Sequence, residues 1–362
     1  MGKSLSKEVG QEKLLSAIHA ENALLKKKVA LLLKEANAQD RIISYNKMSV
    51  DALEPVKYKP SYNKEDKETP ESAVLVGSCW HIGETISRDE MGGMNEYNFE
   101  IFVRRFQYLI DKTIHNALKY TITELHLVLT GDMVSGIIHD ELEASNELNI
   151  VEQATIGALV VAQGIQDLAA NFPKVIVTCV VGNHGRTKQK KYFKHKQQVN
   201  WDYVFYTNLA LMLKKQKNVS FNIPLSFWAG VQIQNSRFLV MHGDLVKSWG
   251  SIPFYGLNRE EAKWVKIKSS QSDFFNYFVA SHFHTKAVLQ TPMGEQILNG
   301  SLKGGDEYAI GLGFYGDPIQ LLFGVHPKYG KSWEVSINAK HADAKVRYKY
   351  NRSLHVAEQI GD

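Results

Sequence analysis

The sequence predicts an α/β chain whose two-sheet β-sandwich is flanked by helices and preceded by a long N-terminal helix. Three observations carry that prediction. From Ser72 onward, short β-rich runs alternate with longer helical ones, the signature of strands and helices layered on one another. Beyond Val219 the strand-like runs crowd together, which asks for a second sheet. Ahead of both, Leu14 to Gln39 contains no Gly or Pro and repeats apolar residues at a 3–4 spacing, a helical pattern.

In heptads, that N-terminal stretch places Leu15, Asn22, Val29 and Ala36 at a and Ile18, Leu25 and Leu32 at d. A lone Asn at a fixes register in parallel dimers, and Glu21 at g can reach Lys26 at e of a partner. The segment is therefore expected to act as a coiled coil, giving a homo-oligomer with a dimer favoured. Leu14, Leu24, Leu31 and Leu33 widen the apolar face, so packing on a globular body is the other reading. The expected organisation is a helix over 1–48, a linker over 49–71 and a globular domain over 72–362. The linker is polar and carries Pro55, Pro60 and Pro70.

Within the globular part, Ala73–Gly77 reads as a buried strand and Asn95–Tyr120 as a helix with Phe99, Phe102, Phe106 and Ile110 on one side. A strand over Glu124–Thr130, a helix over Ser145–Ala170, a strand over Lys174–Val181 and a helix over Asp202–Lys215 follow. Then come strand-like runs at Val219–Ile223, Gly230–Gln234, Phe238–Met241 and Tyr277–Ala280. The last four, Ala287–Gln290, Gln296–Leu298, Ile319–Val325 and Trp333–Ile337, look antiparallel in character.

Composition bounds the function only loosely. A net charge of +5 over 362 residues permits a polyanionic partner without demanding one. The two cysteines, Cys79 and Cys179, sit in or beside apolar runs, so no disulfide framework is indicated and a reducing compartment is expected. No apolar run approaches the ~18 residues of a membrane span, and the N-terminus has no secretory apolar core. Met1-Gly2-Lys3-Ser4-Leu5-Ser6 fits the short myristoylation pattern, which matches often by chance. A cytoplasmic protein with no membrane partner is the expectation.

Five short blocks carry the chemistry. They are Ser78-Cys79-Trp80-His81, Gly131-Asp132, Gly182-Asn183-His184-Gly185-Arg186, His242-Gly243-Asp244 and His282-Phe283-His284. Each stands where an apolar, strand-like run ends, the edge at which α/β folds collect their sites. One histidine in such a place is ordinarily a satisfied core or surface residue. Five coincident placements supply enough nitrogen and oxygen ligands for two metal ions side by side, which can clamp both oxygens of an in-line displacement at phosphorus.

In order and context these blocks resemble the calcineurin-like metallophosphoesterases, whose pattern runs D-x-H, G-D, G-N-H-[DE], H, G-H-x-H. The resemblance spans roughly Ser72 to Lys340 and implies the metallophosphoesterase fold. It further implies that Cys79, His81, Asp132 and His284 hold a first metal and that Asn183, His242 and His282 hold a second. Asp132 would bridge the two, and His184 would protonate the leaving oxygen or steady the developing charge. The implied cofactors are two divalent ions, manganese foremost, with zinc, iron or magnesium as the other options.

Two positions depart from the pattern. Cys79 replaces an acid; a thiolate is softer, with a bond of ~2.3 Å to zinc. It is expected to ligate, to weaken the first site, or to leave a place for water. Gly185 replaces the acid that orients the catalytic histidine, so Asp244 or a backbone carbonyl must take that part. Arg186 follows and can fork onto a phosphate, a second catalytic candidate.

The loop beyond Arg186 is basic. Lys188, Lys190, Lys191, Tyr192 and Lys194 read either as a solvated face or as a groove wall that tracks a nucleic-acid backbone. Lys247, Arg259, Lys263 and Lys266 are expected to be exposed and to extend the same rim. Asn299-Gly300-Ser301-Leu302-Lys303-Gly304-Gly305-Asp306 looks like a phosphate-cradling loop but lacks the strand-to-helix context, so a turn is expected.

The functional expectation is a metal-dependent phosphodiesterase, a DNA nuclease above all, using a metal-activated hydroxide. A phosphomonoesterase acting on a nucleotide, metabolite or phosphoprotein is the alternative. A degenerate scaffold subunit is the third reading.

Overall fold

The strand that opens the globular part, β1 (Glu71–Gly77), sits at the centre of the molecule because every residue from Ser72 to Gly77 is buried. This computed structural model describes residues 25–28, 53–58, 69–191, 193–248, 253–313 and 315–350. The chain divides into two compact units, 1–48 and 49–362. Of the first, only residues 25–28 are described, and they are helical. The coiled coil expected over 1–48 otherwise lies outside the described residues.

β1 lies between β2 (Ile122–Leu129), which runs parallel to it, and β10 (Ile319–His326), which runs antiparallel. β3 (Val175–Cys179) and β4 (Val219–Asn222) continue the parallel side, and β11 (Gly330–Asn338) closes the other edge. The second sheet has the order β5 (Trp228–Ile233), β6 (Ser236–Met241), β7 (Tyr277–Ala280), β9 (Gly294–Leu298), β8 (Ala287–Thr291). Both sheets are mixed. β8–β9 and β10–β11 pair antiparallel, as their sequences suggest.

Strand alternation builds the core. Val74 and Val76 of β1, Val128 of β2, Val231 and Val240 of the second sheet, and Leu321, Phe323 and Val325 of β10 meet between the sheets. The face comprises fifteen buried side chains, and each large one carries about 1.5–3 kcal/mol of burial. The outer face of the second sheet carries Leu239, Met241, Phe278 and Leu298 against Leu257 and Trp264 of the helix α5 (Phe254–Ser269).

Helix starts follow their caps. α1 (Phe99–Ala117) begins four residues later than its apolar pattern because Asn98 caps the amide of Ile101. α2 (Asp140–Ser145) is a short separate turn, so α3 (Ile150–Asn171) starts only at Asn149, whose capping box with Glu152 is worth about 1 kcal/mol. α4 (Trp201–Met212) is capped by Asn200. α6 (Glu307–Gly311) is a single turn. The described part of the linker is a strap: Val56 exchanges two hydrogen bonds with the Gln216 side chain, and Gln166 donates to the Glu54 carbonyl. Among the described residues no helix is long and apolar enough to cross a membrane.

Candidate metal centre

All five blocks emerge at one edge of the sandwich, because β1, β2, β3, β6 and β7 end there and their loops knit together. The Cys79 amide donates to the Gly131 carbonyl, and the Trp80 and His81 amides donate to the Asp132 carbonyl. The Ser281 amide donates to the His242 carbonyl, which joins the blocks of the second sheet in the same way. Gly131 and Gly182 allow the two central loops to touch. A Cβ on Gly131 would lie 2.3 Å from the Gly182 nitrogen, and one on Gly182 would lie 2.1 Å from Asp132 Oδ1.

Backbone strain gathers at the same edge. Among the described residues eight non-glycine positions have positive φ, and five of them are Cys79 (50°), His81 (45°), Asp132 (55°), His282 (76°) and His284 (54°). Each left-handed non-glycine residue costs about 1–3 kcal/mol, so the concentration of five of them here is held in place by strong local bonding. Much of that bonding comes from Asp202 in the first turn of α4. Its carboxylate accepts the amides of Asp132 (2.9 Å), Met133 (3.0 Å), Val134 (3.3 Å) and Gly182 (2.8 Å). Burial and the nearby Asp132 charge raise its pKa to about 6, although the amide bonds pull the other way. In the sequence Asp202 marks only a helix start, and its place just after the N-cap Asn200 is the one signal of its role.

The donor atoms converge. Cys79, His81 and His284 offer ligand atoms within 4.8 Å of one another; so do Cys79, Asp132 and His242, and so do His81, Asp132 and His184. His81 Nε2 faces His284 Nε2 at 3.1 Å. His242 Nε2 faces Asp132 Oδ2 at 2.9 Å and Asn183 Oδ1 at 3.1 Å. The His282 ring lies 5.1 Å from that of His242. Cys79, His81, Asp132, Asn183 and His242 are buried, whereas His184, His282 and His284 are partly exposed and form the rim. Cys79 is central: its thiol belongs to two of the three donor sets.

These residues fit divalent cations. Burial, followed by the nearby Lys303 charge, holds His81 well below the ordinary histidine range and His284 at about 3, so both are neutral donors near neutral pH. Burial likewise brings His282 to about 4. His242 is the exception: Asp132 and the Thr130 carbonyl outweigh burial and hold it above its usual value. Neutral imidazoles, one carboxylate and one amide oxygen gathered at one edge are donors that a hard or borderline cation takes. Burial and the Asp132 charge hold the Cys79 thiol protonated while no cation offsets them.

Second hydrogen bonds fix the rings. His242 Nδ1 faces the Thr130 carbonyl at 2.7 Å, which leaves Nε2 as the donor atom to a cation. His184 Nδ1 faces the Ser135 carbonyl at 2.9 Å. That carbonyl takes the orienting part left open by Gly185. An acid at 185 has no room, since a Cβ there would lie 2.1 Å from Asn200 Oδ1. Asp244 does not substitute; it is bound to the buried Lys196 at 2.8 Å.

The other sequence candidates are distributed differently. Arg186 is buried and turned into its own loop, with Nε donating to the Asn183 carbonyl and Nη1 to the Gln189 carbonyl. It also lines a cleft of about 370 Å³ with Ile138, His139, Asp140, Glu141 and Gln189. His139 lies beside His184, ring centres 5.4 Å apart. Lys188, Lys190, Lys191 and Lys194 are exposed, with Lys191 also reaching the Asp244 carbonyl. Tyr192 lies outside the described residues. Lys247, Arg259, Lys263 and Lys266 are exposed as expected.

The Asn299–Asp306 loop is no phosphate cradle but a backboard. Ser301 Oγ donates to the Cys79 carbonyl, Asn299 donates to Val76 O and Ser78 Oγ, and Arg105 and Asn95 hold the carbonyls of Leu302, Lys303 and Gly305. It thereby supports the strained Cys79 from behind.

No family model matches the chain, and no curated protein matches it. Among solved structures it is similar to an archaeal phosphodiesterase (11% identity, 73% of this chain and 99% of that one, TM-score 0.35). It is also similar to a hypothetical protein of Pyrococcus horikoshii (13% identity, 74% and 88%, TM-score 0.36). Vps29 of Entamoeba histolytica in complex with zinc is a third (12% identity, 74% and 99%, TM-score 0.31). At the site itself, the blocks resemble the calcineurin-like metallophosphoesterase pattern in their order and in converging on one edge, with Cys79 and Gly185 as the departures.

Proposed function

We propose that the chain is a metal-dependent phosphoesterase that hydrolyses phosphodiesters. The observation that carries this reading is the meeting of Cys79, His81, Asp132, Asn183, His242, His282 and His284 at one sheet edge, with His184 beside them. Cys79, His81, Asp132 and His284 would hold one divalent ion and Asn183, His242 and His282 another, with Asp132 shared. Such ions supply Lewis-acid polarisation of a phosphoryl oxygen and of water.

The chain's own residues supply the rest. With Nδ1 held by the Ser135 carbonyl, His184 presents Nε2 to the substrate, where it can give a proton to the leaving oxygen. The buried floor restricts water to the rim formed by His184, His282 and His284. For substrate, the exposed Lys188, Lys190, Lys191 and Lys194 on the loop leaving the His184 block support a polyanion, and nucleic acid is the reading we favour. Manganese is the ion we favour, and a homodimer the assembly.

A second reading, hydrolysis of a small phosphate ester, is favoured by one observation. Asp140 and Glu141 line the cleft beside His184 and would repel a continuing phosphate chain. Manganese-loaded protein should cleave bis(p-nitrophenyl) phosphate faster than p-nitrophenyl phosphate and should degrade single-stranded DNA. His184→Ala should lower kcat by about 10²–10⁴ with metal content unchanged. Preference for the monoester with DNA intact would replace the first reading by the second. Absence of any esterase activity in fully metal-loaded protein would exclude both.

A further inference from the structure

We infer that Glu84 is the positioning carboxylate of His81, locked in place by a buried Lys303–Asp306 pair; this rests on the metal reading above. Positive φ at Gly83 (95°) turns the chain after His81, and the Glu84 amide donates to the His81 carbonyl at 3.1 Å. The Glu84 side chain thereby returns beneath the imidazole, with Oε2 3.3 Å from His81 Nδ1. Both atoms are buried, and neither makes a hydrogen bond to any described group; the approach between them is an ion-pair contact outside hydrogen-bond geometry. They are each other's only near partner of opposite polarity among the described contacts.

The other carboxylate oxygen is fixed. Lys303 Nζ lies 2.5 Å from Glu84 Oε1 and 2.6 Å from Asp306 Oδ2. Lys303 is 2% exposed and Glu84 2%, so neither has water to fall back on. Arg105 stands on the far side of the same loop, bound to the carbonyls of Leu302 and Lys303, and holds the backbone from which Lys303 reaches inward. Cys79, His81 and Glu84 thus form one C-x-H-x-x-E unit.

A carboxylate behind a ligand histidine keeps the proton on Nδ1 and aims Nε2 at the cation. Here His81 Nε2 is the atom that faces His284 Nε2 at 3.1 Å. A buried Lys–Glu–Asp group kept for stability alone has no need to leave one carboxylate oxygen without a hydrogen bond and facing an imidazole nitrogen. In a cluster where the Cys79 thiol stands in place of an acid, the carboxylate serves from behind the ligand.

The test is metal titration of the full chain by calorimetry with Mn²⁺ and Zn²⁺, alongside ¹⁵N-histidine spectra of the metal-free protein. Glu84→Gln should weaken one of two binding events by about 10–100-fold and leave the other unchanged. The Nδ1–H form of His81 should lose population in the same variant, and Glu84→Asp should recover part of the affinity. Lys303→Arg should behave like wild type more closely than Lys303→Met does. Equal affinities in wild type and Glu84→Gln, with only the melting temperature lowered, would overturn the assignment while leaving the metal reading intact. Failure of the wild type to bind either metal would overturn both.

Discussion

The two halves of the metal cradle are held by different means. Behind His81 and His284 stands a buried ionic group, Glu84, Lys303 and Asp306, on a loop that closes over the first sheet. Around Asn183 and His242 the supports are bonds to the backbone: the Thr130 carbonyl fixes His242, the Ser135 carbonyl fixes His184, and the Asp202 carboxylate gathers four amides. Both halves join the two sheets: His81 follows β1 of the first and His284 follows β7 of the second, while Asn183 follows β3 of the first and His242 and His282 follow β6 and β7 of the second. What differs is the bridge. In the second half the Thr130 carbonyl crosses directly to His242, whereas in the first the long side chain of Lys303 ties Glu84 behind His81.

That contrast is open to attack, and the largest effect is expected at Asp202. Asp202→Ala would leave four buried amides without an acceptor, each costing about 1–3 kcal/mol. Partial relaxation reduces the sum, and a loss of about 4 kcal/mol or more in urea unfolding of the metal-free protein is the expected outcome. The Asp132 and Gly182 loops would separate, and both metals would be lost together. A variant that unfolds like wild type would show that the two loops are held by the glycine contacts instead.

A smaller and one-sided effect is expected at Cys79. Its thiol touches donor sets in both halves, but its backbone is tied only to the Gly131 and Ser301 side. Cys79→Ser keeps the shape and removes the soft donor. Zinc affinity should fall by about tenfold or more, and manganese affinity by much less, because thiolate favours the softer ion. The first half alone should respond in a calorimetric titration. Equal losses for both ions would mean that Cys79 supports the fold rather than the cation.

The same contrast explains what was legible in the sequence. Every strand from β1 to β11 showed as an apolar run, and the five blocks showed because each interrupts such a run with polar donors. α5 did not show. Its buried face carries Glu260, Glu261 and Lys268 beside Leu257 and Trp264, so the apolar period is broken. Those charges find their partners only in the fold: Glu260 with Lys263 and Trp264 of the same helix, Glu261 with Gln296, and Lys268 with Asp273 just past the helix and the face of Trp228. Glu84 and Lys303 stayed hidden for the same reason. Each looks like a solvated surface residue until the fold brings 84, 303 and 306 together. The supports of the second half were partly legible, since a backbone carbonyl was one of the two candidates for the place of Gly185.

The smallest effect is expected at a second His–Glu–Lys group, which sets a baseline for the first half of the cradle. Glu124 on β2 lies 3.0 Å from the buried His126 and 3.1 Å from Lys174, whose side chain is 56% exposed. The partners match those of Glu84, but solvent reaches them. The hydrogen bond from His126, and then Lys174, bring Glu124 to about 2, against a usual value of 4.5, although burial opposes them. A carboxylate whose folded value is depressed adds stability that is complete above 4.5 and is lost as pH falls toward 2. Glu124→Gln should therefore cost about 1 kcal/mol or less at pH 7, screened by solvent, and the gap from wild type should close by pH 2 in urea titrations. Metal affinity should not change. If Glu124→Gln proved as damaging as Glu84→Gln, the ionic group behind His81 would be ordinary fold support, and the asymmetry between the halves would be one of packing alone.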